Sequence, residues 1–290
     1  MTQPLKRPLR MAAIDFLNPA PLMWDFEHEP GRTALAERYS IGYTTPANCA
    51  YQLDRGQADL GLVPVAAFAA NPSLAVVPGC AIASLGQIRS ILLVVRSKDG
   101  IAGVRRVAAD TSSLASVAYA KILFERYWKT PAEFLPHPPG LEAMLAAADA
   151  AMLIGDPALL ALEDRQGREE RTGEKLLYLD LGEAWKAFTG LPWVSAFWAL
   201  RPDALTETGI SATRLIEDLQ LSRDHGLMHT EELVAEWSGR IGVPPATIRA
   251  YLTTNIHYVL DRDCLAGLNV FYRYAAECGA LPHAPPLRLL

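Results

Sequence analysis

The sequence lacks the motifs of several common functional classes. It contains no GxSxG motif, no Walker-type phosphate loop and no GxGxxG motif, so nothing indicates a serine hydrolase, a P-loop enzyme or a dinucleotide-binding protein. Its four cysteines are scattered and form no CxxC pair: Cys49, Cys80, Cys264 and Cys278. The six histidines show no metal-ligand spacing either. We therefore expect no metal site, and reduced, buried thiols in a cytosolic protein.

Basic runs and long apolar runs are also missing. The 290 residues carry a formal net charge of −5 and no basic stripe with interleaved aromatic residues, which argues against a nucleic-acid partner. No stretch has the length of a membrane-spanning helix. The apolar residues 11–14 are too few for the core of a signal peptide. We expect a cytoplasmic protein with no membrane partner, in which helix N-termini and local donors could still bind a small anion.

The sequence does contain two similar α/β segments about 90 residues apart. Residues 147–156 (AADAAMLIGD) run from a helix end through a buried strand to a polar tip at Gly155 and Asp156. Residues 56–64 (GQADLGLVP) follow the same pattern. Because parallel α/β sheets bind ligands at the carboxyl ends of their strands, the two strand tips are candidate walls of one site.

The order of the predicted elements indicates two lobes. Residues 10–63 read as β-α-β-α-β, with Thr45 as N-cap of a helix and Gly56 at its end. We predict a discontinuous first lobe, about 1–95 plus 196–290 with the C-terminal helices, and an inserted α/β second lobe, about 96–195. This is the α/β architecture of the type II periplasmic-binding-protein fold, with a ligand cleft between the lobes.

Candidate ligand contacts lie where predicted strands end. Asn18 ends the first strand, and its amide can donate to a carboxylate or a hydroxyl, although it suits a turn before Pro19 equally well. Residues 110–113 (DTSS) join a strand to a helix, where Thr111, Ser112 and Ser113 could hold a carboxylate, or Asp110 or Thr111 could simply cap the helix.

A predicted turn provides two further serines. Ser84 and Ser90 flank it, and either could contact a ligand. Arg89 could pair with an anionic ligand or be solvated. Alternation places Arg89 and Ser90 on opposite faces, so both are not expected in one site.

Eight motifs, in this order and spacing, resemble a known family. They are residues 14–21 (IDFLNPAP), 56–64 (GQADLGLVP), 77–84 (VPGCAIAS), 89–93 (RSILL), 110–113 (DTSS), 153–156 (LIGD), 180–185 (DLGEAW) and 190–194 (GLPWV). They are similar to the chorismate dehydratase family of menaquinone biosynthesis by the futalosine pathway. A sister enzyme with the same fold, 1,4-dihydroxy-6-naphthoate synthase, has a histidine before the acidic residue at the tip of the second-lobe strand. The tip here is Gly155-Asp156, and glycine cannot transfer a proton, which favours the dehydratase.

The resemblance implies a hydro-lyase reaction with no redox cofactor. Chorismate would lose a ring proton and hydroxide to give 3-[(1-carboxyvinyl)oxy]benzoate and water. It implies that Thr111, Ser112 and Ser113 hold a carboxylate, with Gly155 and either Ser84 or Ser90 also at the substrate. Asn18 would orient the departing hydroxyl or a carboxylate. Asp156 could act as the base or anchor the strand tip, and the substrate's own enolpyruvyl carboxylate is the other candidate base.

Two alternatives remain at this point. One is a non-catalytic small-anion binding protein of the same fold. The other is a lyase like 1,4-dihydroxy-6-naphthoate synthase, for which His137 of the second lobe could be an alternative base.

Overall fold

The chain forms two five-stranded mixed sheets. A computed structural model describes residues 5–110 and 113–290. The first sheet contains β1 (Leu9–Ala13), β2 (Tyr39–Tyr43), β3 (Leu60–Pro64), β4 (Ala75–Ser84) and β10 (Trp193–Leu200). The second sheet contains β5 (Ile91–Val95), β6 (Arg106–Asp110), β7 (Glu133–His137), β8 (Ala150–Ile154) and β9 (Leu177–Asp180).

Helices connect and cover these sheets. The α-helices are α1 (Trp24–Glu27), α2 (Gly31–Leu35), α3 (Pro46–Asp54), α4 (Val65–Phe68), α5 (Leu114–Ile122), α6 (Leu141–Ala147), α7 (Asp156–Glu163), α8 (Arg165–Thr172), α9 (Leu181–Thr189), α10 (Ala204–Thr208), α11 (Ala212–Met228), α12 (Thr230–Ile241), α13 (Pro245–Ala250) and α14 (Arg262–Glu277). Two short 3₁₀ helices (Ala20–Met23, Gly100–Gly103) and two π-helical turns (Leu123–Tyr127, Tyr251–Asn255) complete the described part of the chain. None of the described helices is long and apolar enough to cross a membrane.

The two sheets repeat one topology. In the first, the order is β2-β1-β3-β10-β4, where β1 runs parallel to β2 and β3, and β10 runs antiparallel to β3 and β4. In the second, the order is β7-β6-β8-β5-β9, where β6 runs parallel to β7 and β8, and β5 runs antiparallel to β8 and β9. Each sheet thus has a parallel β-α-β part and one strand that runs antiparallel to its neighbours. This strand, β10 in the first sheet and β5 in the second, directly follows a crossover from the other sheet.

One strand lies in the other sheet from the one we predicted. We assigned Ile91–Val95 to the first lobe, but it pairs with β8 and β9 of the second sheet, so that assignment is wrong. The first crossover is therefore residues 85–90, before β5. The return crossover leads into Trp193–Leu200, which pairs with β3 and β4 of the first sheet as expected. A fully buried apolar strand is compatible with either sheet, and only its pairing decides between them.

An aromatic stack joins the lobes behind the crossovers. The Tyr119 ring of α5 lies between Trp193 and Phe271, with centroid distances of 3.7 and 4.1 Å. The buried Tyr119 hydroxyl donates to the carbonyl of Val194 at 3.1 Å. Through these stacked rings and the satisfied hydroxyl, α5 of the second lobe packs against β10 and α14 of the first.

Candidate active site

A cavity of about 240 Å³ lies between the lobes. It is bordered by segments that follow parallel strands of both sheets: Asn18 after β1, Pro64 at the end of β3, Asp110 at the end of β6, and Gly155 after β8. These are the carboxyl ends of the strands, where an α/β fold is expected to bind its ligand. We call this space the interlobe cavity.

The walls of the interlobe cavity combine apolar surface with hydrogen-bonding groups, two of which are carboxylic acids. Six isoleucines supply much of the apolar surface: Ile14, Ile82, Ile88, Ile91, Ile154 and Ile256. The polar side chains are Asn18, Ser90, Asp110, Ser113, Ser116, Asp156, Ser195 and Tyr251. None of the described lining residues is a lysine, arginine or histidine. An anion in this cavity must therefore be held by neutral donors and by helix N-termini.

Asn18 lies in the turn between β1 and the 3₁₀ helix Ala20–Met23. It is half-buried and borders the interlobe cavity. Within the described ranges, no hydrogen bond engages its side-chain amide. We expected Asn18 to end the first strand, but β1 ends at Ala13, and Asn18 lies five residues further on, in the turn that precedes the 3₁₀ helix. Its amide donors are available to a ligand there.

Ser113 is the N-cap of α5. Its hydroxyl accepts from the backbone N–H of Ser116 at 3.3 Å, and the two serine hydroxyl oxygens are 3.0 Å apart. The alternative that Asp110 or Thr111 caps the helix is not what the structure shows, because β6 extends through Asp110 and Ser113 is the N-cap of the helix that begins at Leu114. Thr111 and Ser112 lie outside the described residues. The α5 N-terminus is thus presented to the cavity with at least two hydroxyls.

Gly155 connects the tip of β8 to the first crossover. Its φ is +68°, and its backbone N–H donates to the carbonyl of Ser90 at 2.8 Å. Asp156 then opens α7, whose N-terminal dipole faces the cavity. The strand tip is anchored by Gly155, and no hydrogen bond to the Asp156 carboxylate is found in residues 5–110 and 113–290, so an anchoring role for that carboxylate has no support.

The environment of the Asp156 carboxyl group favours a role as a base. Burial raises its pKa, and the charge of Arg240 opposes this only in part. A carboxylate with a raised pKa accepts a proton more readily than an exposed one. Asp156 is half-buried at the edge of the cavity, where a ligand could reach it.

The structure separates the two candidate serines. Ser90 lines the interlobe cavity, and the Tyr251 hydroxyl donates to its Oγ at 2.8 Å. Ser84 is buried and is absent from the lining. Its hydroxyl lies 3.1 Å from the carbonyl of Gly86 and 3.0 Å from that of Gln87, and it accepts from the N–H of Gly86 at 3.3 Å. Ser84 therefore closes the crossover turn.

Arg89 faces away from the interlobe cavity. It is absent from the cavity lining, and its guanidinium donates to Glu163 at 2.9 Å. Its backbone N–H donates to Asp180 at 2.6 Å, with φ at +65°. Arg89 and Ser90 point to different sides, as the sequence predicted, although neither lies within a strand.

The sequence analysis missed three polar side chains of the described lining. Ser116 stands three residues after Ser113, a spacing that places both on one helix face and could have identified it. Ser195 follows the return crossover and accepts from the Trp193 indole at 2.9 Å, so Trp193 itself stays in the core. Tyr251 comes from the C-terminal helices, 95 residues beyond Asp156, and no local pattern marks it.

Neither His137 nor a nearby titratable cluster adds chemistry to the cavity. His137 donates from Nδ1 to the carbonyl of Pro138 at 2.6 Å and is absent from the lining. His257, Asp261 and Cys264 have their ligand-type atoms within 4.8 Å of one another. However, Asp261 caps α14 through the N–H of Cys264, and burial raises the pKa of the Cys264 thiol to about 12. The contacts of this cluster are those of a helix cap.

Comparison with known proteins identifies the family of this chain. A family model described as menaquinone biosynthesis matches residues 9–277. A chorismate dehydratase from Thermus thermophilus is 31% identical over 258 residues, which cover 86% of this chain and 90% of that protein.

Solved structures share the fold at low sequence identity. A protein from Archaeoglobus fulgidus superposes with a TM-score of 0.70 at 15% identity, covering 94% of this chain and 98% of the other. The periplasmic aliphatic sulphonate-binding protein of Escherichia coli gives a TM-score of 0.67 at 14% identity, covering 99% and 94%. These matches confirm the predicted two-lobe fold of periplasmic binding proteins, and the match over residues 9–277 shows that the chain belongs to the menaquinone biosynthesis family.

Proposed function

We propose that the protein is a hydro-lyase that converts chorismate to 3-[(1-carboxyvinyl)oxy]benzoate and water, at the start of the futalosine route to menaquinone. Its family and its 31% identity to a chorismate dehydratase support this proposal. The observation that carries it is that Asn18, Ser113 and Asp156 border one cavity.

The cavity walls match the chemistry of this substrate. Chorismate is a six-membered diene ring with two carboxylates. The isoleucine-rich walls suit the ring, and the hydroxyls at the α5 N-terminus suit one carboxylate. Hydrogen bonds from neutral donors in a site that excludes water are strong enough to bind an anion without a paired cation.

The reaction needs one proton acceptor and help for one leaving group. The ring carbon that bears the enolpyruvyl ether loses a proton, and hydroxide leaves the adjacent carbon, so the atoms lost make one water and the ring becomes aromatic. We assign proton removal to Asp156, because its pKa is raised by burial. The substrate's own enolpyruvyl carboxylate is the alternative acceptor. Asn18 orients the departing hydroxyl or a carboxylate, and positioning supplies much of the remaining rate enhancement.

Incubation of the purified protein with chorismate tests the proposal. Liquid chromatography with mass detection should show a product lighter than chorismate by one water, formed faster than in a heat-inactivated control. Asn18→Ala should lower kcat by about 10²–10³-fold, the effect of removing a positioned donor. Asn71→Ala provides the matched control, because Asn71 lies on the surface of the first lobe and bonds Asp54.

The outcomes separate the alternatives. Chorismate that is bound and returned unchanged would indicate a binding protein. Turnover of a cyclic futalosine derivative, but not of chorismate, would indicate the sister lyase. Full activity in both Asn18→Ala and Asp156→Asn would show that the residue assignments are wrong.

A further inference from the structure

Two hydroxyls form a pair in the wall of the interlobe cavity. The Tyr251 hydroxyl is 2.8 Å from Ser90 Oγ, and both residues line the cavity. Tyr251 is 2% exposed and Ser90 is 5% exposed. Water therefore competes little for this hydrogen bond, which makes it stronger than a similar bond at the surface.

The direction of this bond determines what Ser90 can do. A phenol is a stronger acid than an aliphatic alcohol, so Tyr251 donates and Ser90 accepts. The hydroxyl proton of Ser90 is then not involved in the hydrogen bond with Tyr251, and no acceptor for it is found among the described residues. Ser90 consequently presents an O–H donor to the cavity, and the bond from Tyr251 polarises it further.

The backbone around Tyr251 fixes this geometry. Tyr251 begins the π-helical turn Tyr251–Asn255, and π-helical turns in proteins are often found at functional sites. The Asn255 amide donates to the carbonyl of Gln87 at 3.1 Å. One turn of the first lobe thus contacts the crossover at residue 87 and at residue 90, and holds Ser90 in place.

Tyr251 remains a neutral donor over the working pH range. Burial has the largest effect and raises the pKa of Tyr251; the Ser90 interaction lowers it by less, and the charges of Asp156 and Asp180 add smaller increases. The phenol is therefore protonated whenever the protein is folded at ordinary pH.

We propose that Tyr251 is a positioning residue, which holds the Ser90 hydroxyl as a donor to an anionic oxygen of the substrate during the reaction. This inference rests on the proposed dehydration of chorismate. The oxygen receives more negative charge as the ring proton leaves, so the Ser90 hydrogen bond is stronger in the transition state than in the ground state.

The test compares two tyrosine-to-phenylalanine changes in one region. Tyr251→Phe removes the bond to Ser90 and should lower kcat about tenfold while KM changes by less than about threefold. Tyr258→Phe is the control, because Tyr258 is also buried, at 3% exposed, and its hydroxyl has no partner among the described residues. It should leave kcat unchanged. Thermal midpoints of both variants check that each is folded.

A double-mutant cycle separates positioning from a structural role. Ser90→Ala should lower kcat by about 10²-fold, as expected for a lost oxyanion donor. Adding Tyr251→Phe to Ser90→Ala should then cost nothing more, because Tyr251 acts through Ser90. A structural role would instead give two effects that multiply.

Each outcome supports or overturns one claim. If the wild type converts chorismate and Tyr251→Phe behaves like Tyr258→Phe, the role of Tyr251 is wrong and the proposed function stands. If the two effects multiply in the cycle, Tyr251 does not act through Ser90. If the wild type releases no water from chorismate, the proposed function fails and the role of Tyr251 fails with it.

Discussion

The backbone N–H of Gly155 donates to the carbonyl of Ser90 at 2.8 Å. This bond joins the tip of β8 to the crossover between the lobes, and both residues line the interlobe cavity. The φ of +68° and ψ of −141° at Gly155 lie outside the regions that L-residues normally adopt. Backbone conformation, and not lack of space, thus requires glycine here, since a Cβ would meet no atom within 4 Å.

Gly155→Ala should therefore destabilise the protein by about 1–3 kcal/mol, the cost of holding an L-residue in this conformation. The decrease should appear in the urea midpoint at pH 7. Gly239→Ala is the control, because Gly239 is exposed within α12 and a Cβ there also meets no atom within 4 Å. In a helix it should raise stability by about 0.5–1 kcal/mol. Equal effects of the two changes would exclude the backbone explanation.

Much of the fold could be predicted from local patterns. Thr45 and Pro46 indicated the start of a helix and Gly56 its end, and α3 confirms both. Local signals of this kind depend only on neighbouring residues. The sheet that contains Ile91–Val95 could not be read in the same way, because an apolar strand carries no record of its partners.

The candidate site, like the fold, could be predicted only in part. The topology of parallel sheets predicts that residues following strand ends, such as Asn18 and Asp156, border the cavity. Tyr251 could not be predicted, because a helical pattern over residues 245–260 does not show that the backbone changes to a π-helical turn at residue 251. The burial of Ser84 in its own turn depends on the path of the crossover, and the presence of turn-forming residues does not predict that path.

Ser84→Ala should affect stability and leave catalysis nearly unchanged. The change removes a buried hydroxyl that satisfies the turn formed by Gly86 and Gln87. An unsatisfied buried group costs about 1–3 kcal/mol, so the thermal midpoint should fall while kcat stays within about twofold of the wild type. The corresponding variant Ser90→Ala is the contrast, with a large loss of kcat. A tenfold loss of kcat in Ser84→Ala would place Ser84 at the substrate.

Asp59 is a buried acid that three arginines hold at the other end of the first sheet. It is 0% exposed, and Arg7, Arg10 and Arg201 donate to its carboxylate at 2.6–3.1 Å. Burial alone would raise the pKa of Asp59, but these hydrogen bonds outweigh it and hold the pKa well below its usual range. The carboxylate joins the N-terminal segment to β1 and to the chain after β10.

Asp59→Asn should cost roughly 2–3 kcal/mol at pH 7, less than for a fully buried ion pair because the arginines are partly exposed. Since the folded-state pKa is depressed, the stabilisation is complete above the unfolded pKa of about 4 and is lost as the pH falls below it. Urea midpoints at pH 7 and about pH 3.5 should show a smaller difference from wild type at the lower pH. Asp203→Asn, an exposed acid in the same region, should show no such difference.

Asp156→Asn tests the proton acceptor. If the carboxylate removes the ring proton, the amide cannot, and kcat should fall by about 10²–10⁴-fold. The wild-type kcat/KM should decrease as the pH falls through the raised pKa of Asp156, because protonation removes the base. The remaining activity of Asp156→Asn should lack this acidic limb. Retained kcat with a lower KM would instead identify the substrate's own carboxylate as the acceptor, because the change removes a negative charge beside a dianion.

Asp156→Asn should lower activity but should not lower stability at pH 7. A pKa raised by folding means that Asp156 contributes most to stability at low pH and that this contribution is lost as the pH rises through the folded-state pKa. At pH 7 the wild type therefore contains a buried carboxylate at a free-energy cost that asparagine does not have. Asp156→Asn should unfold at an equal or higher urea concentration at pH 7, and this gain should disappear toward pH 4. A variant that loses both activity and stability at pH 7 would indicate that Asp156 supports the fold of the β8 tip and does not serve as the base.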